Sequence, residues 1–282
     1  MMRKSPGRSI HGVDFTSRPR IRKPITVASG RCHHSAFHLD TLEEFADWAH
    51  FESWLQRPGP WIAGFDFPFG LPREAVNDLG WPDRWPQLVE HCRRLERDDF
   101  RAALDRYRES RPAGKRYAHR ATDHPAGSHS PLKLVNPPVG LMFLEGAPRL
   151  LDAGVTLPGL HRADPQRIAL EAYPGFSARQ MVKGSYKNDA AAKQTPARSK
   201  ARTSMVASLT TGDNPFGFSL TGSKQILNSL VRDASGDRLD AVLCAMQAAW
   251  AWQRRDDNYG LPVHVDPLEG WIATVPSNLA RL

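Results

Sequence analysis

Cysteine is scarce in this chain. Cys32, Cys92 and Cys244 are odd in number and far apart. That excludes a disulfide framework, and no CxxC or Cys/His spacing of the zinc type is present. Reduced thiols fit a cytoplasmic setting, which is the expectation here. Long apolar runs are also missing: residues 241–252 form the longest, too short to span a bilayer. Residues 1–10 are basic with no apolar stretch behind them, so no secretory leader is expected. No internal repeat and no Walker-type phosphate loop is found. Acidic charge is in the minority. Thirty Asp and Glu face 38 Lys and Arg, a formal balance of +8. An acidic partner follows, with nucleic acid ahead of an anionic surface. A hydrophobic fraction of 40% over 282 residues is ordinary for a globular chain. One domain spanning residues 1–282 is the simplest organisation.

Residues 60–72, PWIAGFDFPFGLP, organise the rest. They begin as a short apolar run, the pattern of a buried strand, and end it on Asp66. Pro68, Gly70 and Pro72 then forbid any regular continuation. A bare carboxylate in such a place is costly and needs a partner: a cation, or its own turn through a side-chain hydrogen bond.

The pattern recurs. Residues 9–17 read as a first strand with Asp14 inside it. Residues 24–29 and 33–39 read as a second and third strand in an antiparallel meander. Thr41, with Glu44 three residues on, predicts a capped helix running to about residue 56. The strand of Asp66 follows. Residues 73–165 read as an insertion. It contains a charged helix or helix pair over 88–107, a mobile or substrate-ordered loop over 111–131, and an apolar helix from Val139 to about residue 151. Residues 166–174 form another apolar run, bearing Glu171 and closed by Pro174. A basic stretch follows with Lys183, Lys187, Lys200 and Arg202. A short helix is expected over 223–231. Asp237 and Asp240 then open the clearest helix, three apart on one face. Asp237 reads as an exposed first-turn acid. Asp240 lies on a largely buried helix. Residues 266–275 read as a loop and a final strand.

Three strands, a helix and a fourth strand match the first half of a ribonuclease H-like fold. The fold class expected is therefore α/β: a mixed five-stranded sheet, three antiparallel strands and then parallel ones, flanked by helices. In that arrangement Asp14 and Asp66 are neighbours. Asp14, Asp66, Glu171 and Asp240 are the candidate catalytic residues. Like charges gathered in a low-dielectric place repel, and oxygen-only ligands favour Mg²⁺ or Mn²⁺. Asp14, Asp66, Asp240 and Asp237 are the candidate metal ligands, with Glu171 orienting an attacking water. Lys183, Lys200 and Arg202 are candidate substrate-binding residues for phosphates.

The motifs Gly12-Val13-Asp14, FDFPFGLP at 65–72, Glu171-Ala172-Tyr173-Pro174, Asp237-Arg238-Leu239-Asp240-Ala241 and the DPLEGWI tail at 266–272 resemble the family known as domain of unknown function 429. The resemblance covers both ends of the chain and implies a nuclease of ribonuclease H-like fold. Phe15 departs from the family pattern, in which a small residue follows the first Asp. The function expected is a metal-dependent nuclease or phosphodiesterase acting on DNA or RNA through two metals. Two other classes compete: an actin-like ATPase or kinase, and a nucleic-acid-binding scaffold with an inactive site.

Overall fold

The computed structural model describes residues 8–276 apart from His34. Strand β1 (Ser9–Asp14) pairs antiparallel with β2 (Ile25–His33), which pairs antiparallel with β3 (Ala36–Phe45). The expected meander is present, but β3 is longer than expected. Residues 41–45 belong to it, so Thr41 caps nothing. Helix α1 (Trp48–Leu55) starts instead at Asp47, whose side chain accepts from the His50 amide at 3.0 Å. The pairing of residues 41–45 with 25–29 outweighs the local helix signal, because the ladder bonds to β2 outweigh propensity.

Strand β4 (Trp61–Phe65) follows and lies parallel to β1, with Gly12 level with Gly64. Four helices and a short strand occupy the expected insertion: α2 (Arg73–Asp78), α3 (Trp85–Ser110), α4 (Asp123–Ala126), α5 (Val139–Ala153) and β5 (Val155–Thr156). The expected helix pair is α3, broken at Glu96, where φ is +57°. Strand β6 (Asp164–Glu171) lies parallel to β4. Next come α6 (Pro174–Met181), α7 (Pro196–Thr211), β7 (Ser219–Gly222), α8 (Lys224–Arg232) and α9 (Asp237–Gln253).

The sheet has seven strands, in the order β5-β6-β4-β1-β2-β3-β7, rather than the five expected. The two additions are the short edge strands β5 and β7, of two and four residues, below the length at which periodicity is visible. The expected final strand is only a single bridge, between Ile272 and Glu171.

Helices cover both faces. One core gathers Val13, Phe65, Phe67, Trp85, Phe100 and Phe143 under α1, α3 and α5. The other gathers Ile10, Ile62, Ile168 and Leu170 under α6 to α9. Because strand side chains alternate, Gly12 and Asp14 share the second face, while Val13 points to the first.

Candidate functional site

Asp14 is the last residue of β1, and Asp66 the first beyond β4. The Asp66 amide donates to the Val13 carbonyl at 2.9 Å, which extends the parallel pairing by one step. The two carboxylates therefore stand side by side on the face covered by α9. That helix comes unusually close. A Cβ on Gly12 would lie 2.1 Å from the Ala241 carbonyl oxygen, and one on Gly64 would lie 2.5 Å from that of Cys244. The level glycine pair lets the helix backbone rest on the strand backbones. Asp237 and Asp240, in the first turn of α9, are thereby carried to the strand ends.

Asp14 and Asp240 are buried and Asp66 is half-buried. Among the described residues, the carboxylates of Asp14 and Asp66 accept no hydrogen bond. Burial, then Asp240 and Asp237, push Asp14 well above the usual carboxylate range. Burial, then Asp240, push Asp66 up to about 7. Asp240 itself is satisfied by the Tyr186 hydroxyl and the Lys187 ammonium. Burial pulls Lys187 down, but Asp240, Tyr186 and Asp14 outweigh it and hold its pKa well above the ordinary value. Asp237 is not the exposed acid expected: it is 6% exposed and takes a bond from Lys23 at 2.7 Å. The Arg20–Lys23 bridge in the β1–β2 connection turns that chain segment back over the first turn of α9.

Glu171 lines the same cavity as Asp66 and adds to the rise of that acid's pKa, yet it has a cationic partner of its own. Its register partner in β4 is Phe65, so its side chain leaves the sheet on the opposite face. Arg120 grips both its oxygens at 2.7 Å, and the Phe69 amide donates to it at 2.9 Å. Burial still raises its pKa, against the pull of Arg120. Arg120 also binds Asp123 and the Glu269 carbonyl. Residues 111–131 are therefore not the loose loop expected. Ala118, Arg120, Thr122, Asp123 and Ser130 are buried, because the guanidinium of Arg120 must follow its two acids inside.

The candidate phosphate-binding residues do not converge. Arg202 is 4% exposed and donates to the backbone carbonyls of Tyr186 and Val231, so it braces the segment carrying Lys187. Lys200, two residues earlier on α7, is exposed on the far side of that helix. Lys183 is exposed beside Gly184, which lines a cavity of about 440 Å³. Asp66, Glu171, Tyr173, Arg179 and Lys187 also line it. Several arginines of α3 are already committed to acids: Arg93 to Asp152, Arg97 to Glu145 and Arg108 to Asp105. The pairing of Lys23, Arg120, Tyr186 and Lys187 with the acids is not legible in the sequence. The one available signal was that gathered acids demand nearby cations.

As a donor set, the aspartates suit a hard divalent cation, being all oxygen, with two members unpartnered. Asp14 and Asp66 would hold it, and Asp240 would join once Lys187 releases it. As the side chains stand, no three His, Cys, Asp or Glu among the described residues are grouped to hold an ion. Lys187 pairs with Asp240, Lys23 with Asp237 and Arg120 with Glu171. No described helix is long and apolar enough to cross a membrane.

A family model described as "Protein of unknown function (DUF429)" matches residues 12–266. No curated protein and no solved structure matches the chain.

Proposed function

The chain belongs to this family of unknown function, and we propose that it is a Mg²⁺- or Mn²⁺-dependent phosphodiesterase acting on nucleic acid. The observation that carries the reading is the pair Asp14 and Asp66: neighbouring, one buried and one half-buried, unpartnered and near a third acid. Such a pair is unfavourable unless it shares protons or a cation. A ribonuclease H-like reading of the sheet is supported by the inner order β3-β2-β1-β4-β6, with β2 antiparallel to its neighbours and β4 and β6 parallel to β1.

A divalent ion on these carboxylates supplies Lewis acidity toward a phosphoryl oxygen and a more acidic bound water. The chain's own groups do the rest. Asp14 and Asp66 are fixed by the sheet, so their spacing does not depend on a mobile loop. Tyr186 orients Asp240 by its hydroxyl bond. Lys187, freed from Asp240, places a positive charge beside the cavity, where a phosphate carries its negative one. Glu171 acts through position: clamped by Arg120, it anchors the Phe69 amide and holds the turn after Asp66.

A second reading is favoured by the lysines. With Lys187 on Asp240 and Lys23 on Asp237, the cluster is partly neutralised as it stands, as in a nucleic-acid-binding protein with no catalytic role. Titration calorimetry with Mn²⁺, together with cleavage of a DNA and RNA panel, separates the two. Heat of binding and Mn²⁺-dependent cleavage are expected. Neither appearing would leave the binding-protein reading.

A further inference from the structure

The cavity beside Asp66 is shaped for something other than a phosphate backbone. At about 440 Å³ it is the size of a small-molecule site, and its walls are largely apolar. Met142 of α5 and Tyr173, both half-buried, line it beside Phe67. The Arg179 guanidinium lies 5.2 Å from the centroid of the Tyr173 ring and 3.2 Å from its hydroxyl, so the ring is held from one side. At the carboxylate end stand Asp66 and Lys187.

We propose that this cavity seats one unstacked nucleotide, its base against Tyr173 and Met142 and its phosphate toward Lys187. This rests on the phosphodiesterase reading. A flat π-surface suits an aromatic ring and a polarisable thioether. A duplex cannot enter, because its bases lie inside the stack; a unit must come from a single strand, be drawn out of the helix, or arrive as a free nucleotide. The substrate class is therefore a nucleotide unit free of stacking, not the groove of intact duplex.

The test is calorimetric titration of the whole protein in EDTA, which silences cleavage, with AMP, CMP, a single-stranded hexanucleotide and a duplex of the same sequence. Saturable binding of the mononucleotides or the single strand is expected, with the duplex failing to compete. Tighter binding of the strand identifies a strand end or loop as the source, and tighter binding of the mononucleotide identifies a free nucleotide. Met142→Trp fills the cavity and is expected to weaken binding at least tenfold while melting near the wild type. Tyr173→Leu, a smaller change, covers the case in which the tryptophan prevents folding, and a similar loss is expected. No saturable binding by any single-unit probe, or wild-type binding by a folded Met142→Trp or Tyr173→Leu protein, overturns the proposal. The cleavage reading fails separately: it falls if Mn²⁺ neither binds nor supports cleavage, whatever AMP does in EDTA.

Discussion

Glu171 pairs with Phe65 and not with Asp66. This one-residue offset turns Glu171 toward Arg120, while it still lines the cavity of Asp66 and helps raise the pKa of that acid. The aspartates face α9. Glu171 faces the other layer and is answered by Arg120. The offset makes Arg120 a structural residue, although it sits in a stretch that reads as loop.

Arg120→Met should therefore unfold the protein far more easily than any surface change. It strands Glu171 and Asp123 inside, and breaking such a buried pair costs about 3–5 kcal/mol. Lys200→Ala, on the solvent side of α7, should stay within about 0.5 kcal/mol. Urea denaturation of the two variants measures the contrast.

Asp14→Asn and Asp66→Asn should each abolish Mn²⁺-dependent cleavage. In EDTA both should melt at or slightly above the wild type, because one of two apposed acids is gone. Melting curves with and without Mn²⁺ check this. Full cleavage by Asp66→Asn would return these acids to a purely structural role.

The raised pKa of Asp66 has a definite sign. Its carboxyl keeps its proton to about pH 7 when folded, and to about pH 4 when unfolded. Between these values the folded state binds more protons, so stability falls as pH rises and levels off above the upper value. Asp14, raised chiefly by burial as well, adds to the fall. In EDTA the melting temperature should drop between about pH 4 and pH 7, at about 2–4 °C per kcal/mol for a chain of this size. Asp66→Asn should flatten the slope, and an unchanged slope would contradict the assignment.

Lys187→Met leaves the buried Asp240 with Tyr186 as its remaining partner. The variant should lose stability in EDTA, by less than the about 3–5 kcal/mol of a fully buried pair, because the Lys187 side chain is 40% exposed. Mn²⁺ should restore more melting temperature to it than to the wild type, since Asp240 is then free to ligate. An equal Mn²⁺ response in the two proteins would mean that Lys187 does not compete for the site.

Gly12→Ala tests the seating of α9. The added methyl meets helix backbone, which no side-chain rotation relieves. A cost of about 1–3 kcal/mol is expected from overpacking. Mn²⁺ binding should weaken with it, because Asp240 moves with the helix. Calorimetry on the folded fraction separates the two effects.

Much of this was legible in the amino-acid order. Asp14 and Asp66 end apolar runs, and the Pro-Phe-Gly-Leu-Pro sequence after Asp66 permits only a turn. The meander, the parallel strand after a helix and the apolar α9 each follow from periodicity and breakers. These are local properties, set by which side chains a strand or helix can bury and where the backbone must bend. The strand order already made Asp14 and Asp66 neighbours, but tertiary structure alone decided how Glu171 and the acids of α9 stand to them. Side chains in strands alternate, so the face of Glu171 depends on a register that no local pattern specifies. It also chose the counter-cations. Lys23 lies 214 residues from Asp237, Lys187 lies 53 from Asp240, and Arg120 lies 51 from Glu171. A buried carboxylate requires a partner, but the low-dielectric interior accepts whichever cation the fold delivers, and delivery over such separations is a property of the whole chain.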